Sequence, residues 1–532
     1  MFVGALTENS MRKVIPGYPK NLRRKAYLYP PSISCKSIIR ISPSFYATQI
    51  LQMGGKNRNY FEKGWGFGWE IHVKGKKMKK ILSILLGLVM LVSCLGGCSD
   101  RQRPSPDAPV TLTMWHVYGS QTESPLNNLI DEFNRTVGRE NGVTIHVVSV
   151  TSSSAIDKAL KASADGEPGA EKLPDLFTAY PRVAEIVGIE NLLAWDEYFT
   201  ESELNTFDDS FLSEGYFDER LLMLPIAKST EAFYINKTIF DRFSMDTGVT
   251  TDMLTSFDGI FAAANAYYDW SGGQNFLQIN DYYHYAYVGM KANGGEFIVN
   301  GQLMTDTPVF EAIWNPLAEA AIYGGICLED GYAAARWKTV EIIANTGSTA
   351  DILYQPDVMI YADNSTEEIT SVTIPYPVFD AENPIAVHRG GGLFALKNED
   401  ERKNYAAYIF AKWLTESENN LMFASQAGYL PVTTEAFELL FNGIDAMEGT
   451  YRSLYEAVDT MMSDYTLHAL PLYSGASEIQ LVFEKNVKSV LKSAHNLYVK
   501  RVNAGEDAET VLRELTKQSL DEIRRLSSER GA

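Results

Sequence analysis

The sequence predicts an α/β protein built around a parallel β-sheet. Three strand-like segments alternate with two helix-like segments between residues 110 and 180. A strand–helix–strand–helix–strand order is typical of parallel sheets. Such sheets bind ligands in the crevice beyond the carboxyl ends of their strands. Residues 115–118 and 178–180 fall at two of these ends and are therefore the first candidates for ligand binding.

Each segment is assigned from its periodicity. The first strand alternates apolar and polar residues, and the first helix repeats apolar residues at the spacing of a helical turn. A serine at the start of the second helix fits the N-cap position. The strands are VTLTMWHVY (110–118), GVTIHVVSV (142–150) and LPDLFTAY (173–180), and the helices are PLNNLIDEFNRTV (125–137) and SAIDKALKASAD (154–165).

A secretory signal peptide is predicted at residues 78–97. Its basic start MKK (78–80) precedes the apolar run ILSILLGLVMLV (81–92) and the small residues LGG (95–97), which is the layout of such peptides. The run is too short to cross a bilayer, which takes about 20 apolar residues. A buried core helix is the alternative, but it explains neither the two lysines before the run nor the glycines after it.

The signal peptide ends in Leu-Gly-Gly-Cys, which resembles the bacterial lipobox. In a lipobox the cysteine becomes the acylated first residue of the mature protein, here Cys98. Cys94, in LVSC, fits the same pattern and remains the alternative. Cys98 is favoured because the polar stretch 99–109 follows it directly as a tether. Two acyl chains hold a protein stably on a membrane, so we expect a soluble domain anchored by lipid to the extracytoplasmic face of the cell membrane.

Residues 1–77 carry 14 Lys and Arg against 3 Asp and Glu, without clear periodicity. A basic nucleic-acid-binding arm is one interpretation. The favoured one is a mis-assigned start, in which translation begins at Met78 and the segment before it is a disordered extension. A signal peptide is read near the N-terminus, and Lys74-Gly75 is encoded by AAR-GGN, which can contain a ribosome-binding sequence.

The rest of the chain is long and acidic. Removing residues 1–97 from the 532 leaves 435, which is enough for two domains. The removed part holds 16 Lys and Arg and 3 Asp and Glu, so the formal net charge of −20 becomes −33. A surface this acidic argues against nucleic acid and anionic membrane surfaces as partners, although a local pocket can still bind an anionic small ligand. With Cys98 acylated, Cys327 has no disulfide partner and is expected to be a small buried apolar residue.

Four segments, in order along the chain, carry a family resemblance. They are VTLTMWH (110–116), LPDLFTAYPRVAEIVGIENLLAWDEYF (173–199), LLMLPIAKSTEAFYINKTIF (221–240) and GGGLFALKNEDERKNYAAYIFAKWLTESENNLMFASQAGYLPV (390–432). Together they resemble the family 1 extracellular solute-binding proteins, the maltose-binding-protein-like receptors of ABC importers. The family's usual TWDE helix start is replaced here by LTSFDGIFAAA (254–264), and residues 337–361 match only loosely.

The resemblance implies a two-lobed, periplasmic-binding-protein-like fold of type II, with a ligand cleft between two α/β lobes. It also implies a monomer without metal or cofactor, which closes around its solute and docks on the transmembrane subunits of an ABC permease. The expected lobe boundaries are 110–228 and 390–440 for lobe 1, and 229–389 and 441–532 for lobe 2.

A neutral sugar needs aromatic rings for its apolar faces and polar groups for its hydroxyls. Glu231 is the strongest candidate, because it stands on a lobe crossing expected near 227–232. Trp115 is also explained as core, and Asp281 as a helix N-cap. Where sugar binders of the family often place a stacking tryptophan, this chain has residues 355–357. The candidate ligand residues implied by the resemblance are Trp115, Tyr118, Thr178, Tyr180, Ser229, Thr230, Glu231, Asp281, Tyr282, Gln355, Asp357 and, near a second crossing at 384–391, Arg389, Gly390 and Gly391.

Three classes of function are compared. The favoured one is an ABC-importer receptor for a mono- or oligosaccharide, with glycerol 3-phosphate or another anionic polyol as the alternative ligand. A secreted glycan-active enzyme is less favoured, because the sequence lacks HExxH, GxSxG, P-loop and CxxC motifs, although the paired carboxylates of a glycosidase depend on spatial separation. An adhesin or scaffold would bind no small molecule. Positive charge for the anionic ligand would come from Arg182, Lys228, Arg336, Lys338 and Arg389.

Overall fold

The computed structural model describes residues 103–118, 124–149, 153–426, 428–471 and 475–529. They fall within one of the two units into which the chain divides. Three features predicted from the sequence lie outside the described residues, namely the extension at 1–77, the signal peptide at 78–97 and the candidate acylation sites Cys94 and Cys98.

Two larger sheets and three two-stranded ones are formed in the described part of the chain. Their strands are β1 (Val110–His116), β2 (Val143–Ser149), β3 (Leu176–Ala179), β4 (Tyr216–Phe217), β5 (Arg220–Leu221), β6 (Leu224–Pro225), β7 (Ser229–Asn236), β8 (Leu277–Ile279), β9 (Ile298–Val299), β10 (Gln302–Leu303), β11 (Ala344–Ser348), β12 (Val358–Ile360), β13 (Thr366–Glu368), β14 (Ser371–Pro375), β15 (Ile385–Arg389), β16 (Gly392–Ala395) and β17 (Thr466–His468).

Helices cover the faces of the two larger sheets. They are α1 (Pro125–Arg135), α2 (Val137–Asn141), α3 (Ser153–Ala164), α4 (Val183–Val187), α5 (Glu201–Leu204), α6 (Asp209–Ser213), α7 (Lys237–Thr247), α8 (Phe257–Ser271), α9 (Tyr282–Ala292), α10 (Pro308–Tyr323), α11 (Ala333–Lys338), α12 (Glu401–Thr415), α13 (Ser417–Gln426), α14 (Thr434–Gly443), α15 (Gly449–Asp464), α16 (Ala476–Asn503) and α17 (Ala508–Ser528). Within the described residues, none of the helices combines the length and apolar character needed to cross a membrane.

The first sheet has the strand order β2-β1-β3-β16-β6. Strand β1 runs parallel to both β2 and β3, which confirms the parallel arrangement predicted from the alternating segments. Helix α1 packs on this sheet through its apolar stripe, and the side chain of Ser124 caps its first turn by accepting from the backbone N–H of Asn127. This sheet is the framework of the first lobe.

The third strand begins at Leu176 rather than at the predicted Leu173. Pro174 has no N–H to donate to a strand ladder. The carboxylate of Asp175 instead accepts from the backbone N–H of Thr113 at 2.8 Å. The loop before the strand is therefore fixed by a side chain where backbone pairing was expected.

The second sheet has the order β17-β15-β7-β11-β8, and β14 also pairs with β7. All eight residues of β7 are buried, because strands pair on both sides of it and helices cover it. Its core continues into the long helices α16 and α17 and is rich in aromatic residues. This sheet is the framework of the second lobe.

Two strand-to-strand connections carry the chain from one of the larger sheets to the other. Strand β6 leads into β7 through residues 226–228, and β15 leads into β16 through Gly390 and Gly391. Beside the first connection, the backbone groups of Lys228 and Leu430 exchange hydrogen bonds of 3.1 and 2.6 Å. The lobe boundaries expected from the sequence stay a prediction, but the strands themselves switch sheets at these points.

Candidate ligand-binding site

Strands β7 and β15 bring charged residues from two distant parts of the chain together. They pair antiparallel, with Thr230 opposite His388 and Ser229 opposite Arg389. Side chains alternate between the two faces of a strand. Arg389 therefore shares a face with Glu231, and this face carries the first candidate site residues.

Glu231 forms the centre of a buried ionic cluster. It is 1% exposed, and its Oε1 accepts from Nη1 of Arg389 at 2.8 Å and lies 2.9 Å from Nδ1 of His284. Burial acts to raise the pKa of Glu231, but the charge of Arg389 and the hydrogen bond from His284 lower it to about 2. Glu231 is therefore ionised at neutral pH. We call Glu231, His284 and Arg389 the cleft cluster.

Asp351 lies close to the cleft cluster on a turn that follows β11. Its Oδ2 accepts from the backbone N–H of Ser348 at 3.1 Å and from Nδ2 of Asn280 at 3.5 Å. Burial raises the pKa of Asp351 to about 6, an effect that the charge of Arg389 reduces. Gly347 makes this approach possible, because a Cβ there would lie 2.4 Å from the same Oδ2.

Three tyrosines of the first lobe approach the same region. The ring of Tyr118 meets that of Tyr429 edge to face, with 5.5 Å between centroids. Burial raises the pKa of Tyr429, and Tyr180 and Asp351 add to the shift while Arg389 opposes it. Groups that influence one hydroxyl in this way lie close together. Aromatic rings of one lobe thus face charged groups at the edge of the other.

Arg182 stabilises one of these rings without offering a free charge. Its guanidinium stacks 4.8 Å from the ring centroid of Tyr180. It also donates to Asp157 from Nε at 3.0 Å and from Nη2 at 2.5 Å. The cation therefore orients Tyr180 while its own charge is met by a carboxylate.

The two glycines of the second crossing serve close backbone packing. A Cβ at Gly391 would lie 2.1 Å from the carbonyl oxygen of Ala179. Gly390 adopts φ +119 and lies against the backbone of Ala227 and Lys228, a conformation that glycine adopts readily. The structure explains both glycines by the junction of the strands, while contact with ligand stays a prediction.

Several other candidates lie in the hydrophobic cores. Trp115 is 4% exposed and packs with Phe177 and Phe394. The hydroxyl of Thr178 accepts from the backbone N–H of Val117 at 3.3 Å. Tyr282 is 1% exposed within the core of the second lobe. Burial leaves these three side chains little surface with which to contact a ligand. Their roles as ligand residues stay predictions.

The remaining candidates lie around the second lobe. Asp281 caps helix α9 by accepting from the backbone N–H of His284 at 2.9 Å, and its other oxygen accepts from Gln480. Thr230 donates from its hydroxyl to the carbonyl of Val387. Gln355 is half-buried and Asp357 is exposed. Of the predicted set, Ser229, Glu231 and Arg389 share one face of the paired strands β7 and β15. Asp281 joins them through His284, whose ring lies 3.3 Å from Asp281 and 2.9 Å from Glu231.

Sequence reasoning missed His284, Asp351 and Tyr429. Tyr429 stands in the fourth resembling segment, in GYLPV, where a ring among glycine and proline could have drawn attention. Asp351 sits three residues after Ser348 in a capping box, a spacing that indicates a helix start rather than a ligand. No local signal marks His284, because its partner Glu231 lies 53 positions earlier in the chain.

The volume of the cavities alone would favour a different part of the protein as the binding site. A cavity of about 650 Å³ lies between the β9–β10 hairpin and helices α16 and α17. Its lining contains few charged groups, whereas the cleft cluster brings three ionisable side chains of the second lobe together. We therefore place the candidate site by its chemistry. Among the described residues, no group of three or more His, Cys, Asp or Glu is arranged to hold a metal ion.

Comparison with known proteins shows the family and the fold of the chain. Residues 128–442 match a family model described as bacterial extracellular solute-binding protein. No curated protein matches the chain. Similar solved structures include the cyclic alpha-maltosyl-1,6-maltose binding protein from Arthrobacter globiformis, 18% identical over 79% of this chain and 100% of its own, with a TM-score of 0.54.

Two further structures bind chemically different ligands. UgpB from Mycobacterium tuberculosis, in complex with glycerophosphocholine, is 17% identical over 78% of this chain and 99% of its own, with a TM-score of 0.55. The substrate-binding protein Lmo0181 from Listeria monocytogenes, in complex with cycloalternan, is 14% identical over 78% of this chain and 98% of its own, also with a TM-score of 0.55. At these identities the likeness concerns the fold.

The likeness confirms the two-lobed, periplasmic-binding-protein-like α/β fold predicted from the sequence. The family match covers more than half of the chain, and the family consists of solute-binding proteins, not enzymes. The predicted resemblance to extracellular solute-binding proteins is thereby confirmed. The chain belongs to the bacterial extracellular solute-binding proteins.

Proposed function

We propose that this protein captures a neutral mono- or oligosaccharide between its two lobes and delivers it to the permease of an ABC importer. The proposal is supported most directly by one observation. Tyr180 lies beside the crossing that follows Arg389, since a Cβ on Gly391 would be 3.1 Å from the backbone nitrogen of Tyr180. Gly428, next to Tyr429, packs on the turn that carries Asp351, since a Cβ there would be 2.7 Å from the carbonyl oxygen of Thr349. Membership of an extracellular solute-binding family places this activity outside the cytoplasm.

The arrangement fits the two chemical aspects of a sugar. Apolar ring faces of a sugar pack on flat aromatic groups, for which Tyr118, Tyr180 and Tyr429 are available. Its hydroxyls need hydrogen-bond partners, and bonds to ionised groups are the stronger ones. Arg389, whose side chain is 29% exposed, supplies a charged donor, and Asp351 supplies an acceptor.

The charge distribution favours a neutral ligand over glycerol 3-phosphate. An anion would need cations that are free to meet it. Lys228 has a fully buried side chain and donates to Glu214 at 2.9 Å. The guanidinium of Arg389 is paired with Glu231. The other basic residues considered for an anion are Arg182, which pairs with Asp157, Arg336, which donates to Cys327 and the carbonyl of Asp330, and Lys338, which is exposed on α11.

Acylation of Cys98 would keep the receptor at the membrane, close to its permease. This part of the proposal rests on the lipobox resemblance and the polar tether after it. Metabolic labelling with a palmitate analogue tests it in Cys98→Ser and Cys94→Ser variants. Loss of label only in Cys98→Ser supports Cys98, loss only in Cys94→Ser identifies the alternative, and no label in the parent rejects lipid anchoring.

Titration calorimetry of the purified protein tests the ligand class. The panel comprises neutral mono- and oligosaccharides and glycerol 3-phosphate, each at two salt concentrations. We expect saturable binding of a neutral sugar that is insensitive to salt, and recovery of the sugar intact by mass spectrometry. Asp306→Asn serves as a control, because the side chain of Asp306 is 95% exposed and lies beside Arg524 of α17. Salt-sensitive binding of glycerol 3-phosphate, or cleavage of the sugar, would contradict the proposal.

A further inference from the structure

The strands that carry the cleft cluster hold a second set of charges on their opposite face. Lys228 has a side chain that is 0% exposed, and its Nζ donates to Oε2 of Glu214 at 2.9 Å. Nδ1 of His388 lies 2.7 Å from the other oxygen of the same carboxylate. We call Glu214, Lys228 and His388 the hinge cluster. One oxygen of Glu214 thus accepts from Lys228, just before β7, and the other lies beside the ring of His388 on β15.

The hinge cluster connects the two strand-to-strand passages between the lobes. Lys228 ends the first passage, and its ammonium also donates to the carbonyl of Gly390 in the second at 3.2 Å. His388 stands on β15, two positions before Gly390. The backbone of Lys228 also exchanges two hydrogen bonds with Leu430, in the loop between α13 and α14. Glu214 itself follows α6 of the first lobe, so a single carboxylate links that lobe to the crossings.

The charges of the hinge cluster depend on one another. A buried cation is costly unless it is paired, and the side chain of Lys228 has no solvent exposure. Burial acts to raise the pKa of Glu214, but the hydrogen bond and charge of His388 and the charge of Lys228 bring it below its ordinary value. On the neighbouring β17, His468 pairs with Val387. Burial lowers the pKa of His468, and the positive charges of Lys291 and His388 add to this effect. The carboxylate of Glu214 is therefore ionised and indispensable to its partners.

The position of the hinge cluster relates it directly to the cleft. Lys228 is followed by Ser229, and His388 is followed by Arg389, so two members of the hinge cluster each precede a candidate ligand residue. When the backbone is held at Lys228 or at His388, the direction of the next side chain, Ser229 or Arg389, is held as well. The register that brings Arg389 to Glu231 is set by the same two strands.

We propose that Glu214 is a positioning residue for ligand binding, which holds the two crossing strands through Lys228 and His388 and thereby keeps Arg389 and Glu231 in their relative places. This inference rests on the proposed function for its effect on affinity. Its effect on the crossing strands does not require a ligand, so the two proposals can fail separately.

A double-variant comparison separates positioning from bulk stability. Glu214→Gln leaves the ammonium of Lys228 buried without a counter-charge, and Lys228→Met leaves the carboxylate without its cation. The double variant Glu214→Gln/Lys228→Met contains neither buried charge. We expect each single variant to melt well below the parent and the double variant to recover most of that loss, because no unpaired charge remains.

Hydrogen exchange and affinity then report on the strands themselves. In the double variant, we expect the amides of Lys228 and Leu430 to exchange at least 10-fold faster than in the parent. We expect the affinity for maltotriose, or for the panel sugar that binds best, to remain at least 10-fold weaker. The matched control is Glu203→Gln/Lys412→Met, which removes a lysine–glutamate pair on the outside of the first lobe and is expected to change neither measurement.

Exchange at both amides equal to the parent in the double variant would overturn the proposal, since Glu214 would then act on stability alone. Faster exchange with unchanged sugar affinity would also overturn it, because the strands would move without consequence for the site. A parent protein that binds no sugar would reject the proposed function, while faster exchange in the double variant would still support the hold of Glu214 on the strands.

Discussion

Two buried glutamates at the junction of the lobes are compensated in the same way but face different surroundings. Each carboxylate lies beside one cation and one histidine, and these neighbours outweigh burial so that the pKa of each falls below its ordinary value. The cleft cluster consists of Glu231, His284 and Arg389, and the hinge cluster consists of Glu214, His388 and Lys228.

The difference between the clusters lies in the cation. The side chain of Arg389 is 29% exposed, whereas that of Lys228 is 0% exposed. A guanidinium that reaches the cleft can exchange water for a ligand and still keep its carboxylate partner. An ammonium without solvent contact can serve only the protein. Exposure of the cation, more than the presence of charge, therefore distinguishes the binding cluster from the positioning one.

The largest expected effect is a difference in the free energy of unfolding between variants of the two clusters. We expect Glu214→Gln to lower the free energy of unfolding by about 3–5 kcal/mol, because it leaves a buried cation unpaired. Glu231→Gln should cost less, about 1–3 kcal/mol, because water can partly solvate Arg389. Urea unfolding of both variants provides the measurement. An equal or larger loss in Glu231→Gln would remove the distinction based on exposure.

Affinity should rank the same two variants in the opposite order. We expect Glu231→Gln to weaken sugar binding by about 100-fold, roughly 3 kcal/mol, because the guanidinium of Arg389 loses the carboxylate that orients it. Glu214→Gln acts only through the strands, so a loss of about 10-fold is expected. Calorimetry with the best-binding panel sugar gives both values, and Glu203→Gln is the control. A weaker effect from Glu231→Gln than from Glu214→Gln would place the binding cluster elsewhere.

Local patterns predicted the framework of this protein and part of its site. The parallel order of β1, β2 and β3 follows from apolar periodicity, and the position of Glu231 and Arg389 on the crossing strands follows from the family resemblance. The pairing of these two residues, 158 positions apart, depends on the register of β7 and β15. Nothing local in the sequence specifies that register.

Three residues have surroundings that their local sequence does not reveal, for the same physical reason. Lys228 was expected to supply charge to an anionic ligand, but Glu214 from the end of a short helix neutralises it inside the protein. Trp115 stands on the predicted strand, yet alternation alone does not say which of its faces a helix covers, and α3 covers this one. Asp351 was overlooked because its capping-box spacing already accounts for a carboxylate. In all three cases, burial and contacts with residues distant in the sequence determine the surroundings of the side chain.

The pH dependence of the free energy of unfolding, measured on an Asp351 variant, tests the cleft without involving the hinge cluster. Burial raises its pKa from 3.8 to about 6, while the charge of Arg389 opposes the shift. The folded protein then binds this proton more tightly than the unfolded chain, so the stabilisation is complete below about pH 4 and is lost as the pH rises through 6. Asp351→Asn should therefore gain stability relative to the parent between pH 4 and 7, by about 2 kcal/mol after allowance for partial solvent exposure.

Urea unfolding at pH 4 and pH 7 checks this prediction. The difference between Asp351→Asn and the parent should be larger at pH 7 and small at pH 4. Asp357→Asn is the control, because Asp357 is exposed and should show no such change. A parent whose stability relative to Asp351→Asn does not fall with rising pH would mean that the carboxylate of Asp351 is well solvated, and the site would have a different acceptor.

The smallest expected effect concerns the aromatic side of the cleft. Tyr180 is half-buried and is stacked against Arg182, with 4.8 Å from the guanidinium carbon to the ring centroid, so its ring is held in place before any sugar arrives. Tyr180→Ala should weaken sugar binding by about 5- to 10-fold, roughly 1 kcal/mol, and should leave thermal stability nearly unchanged because the ring is not part of a core. Tyr216→Ala removes a ring that is 43% exposed in the β4–β5 hairpin and serves as the control. If both variants bind sugar as the parent does, the tyrosines border the cleft without contacting the ligand, and selectivity then depends on the cleft cluster and Asp351 alone.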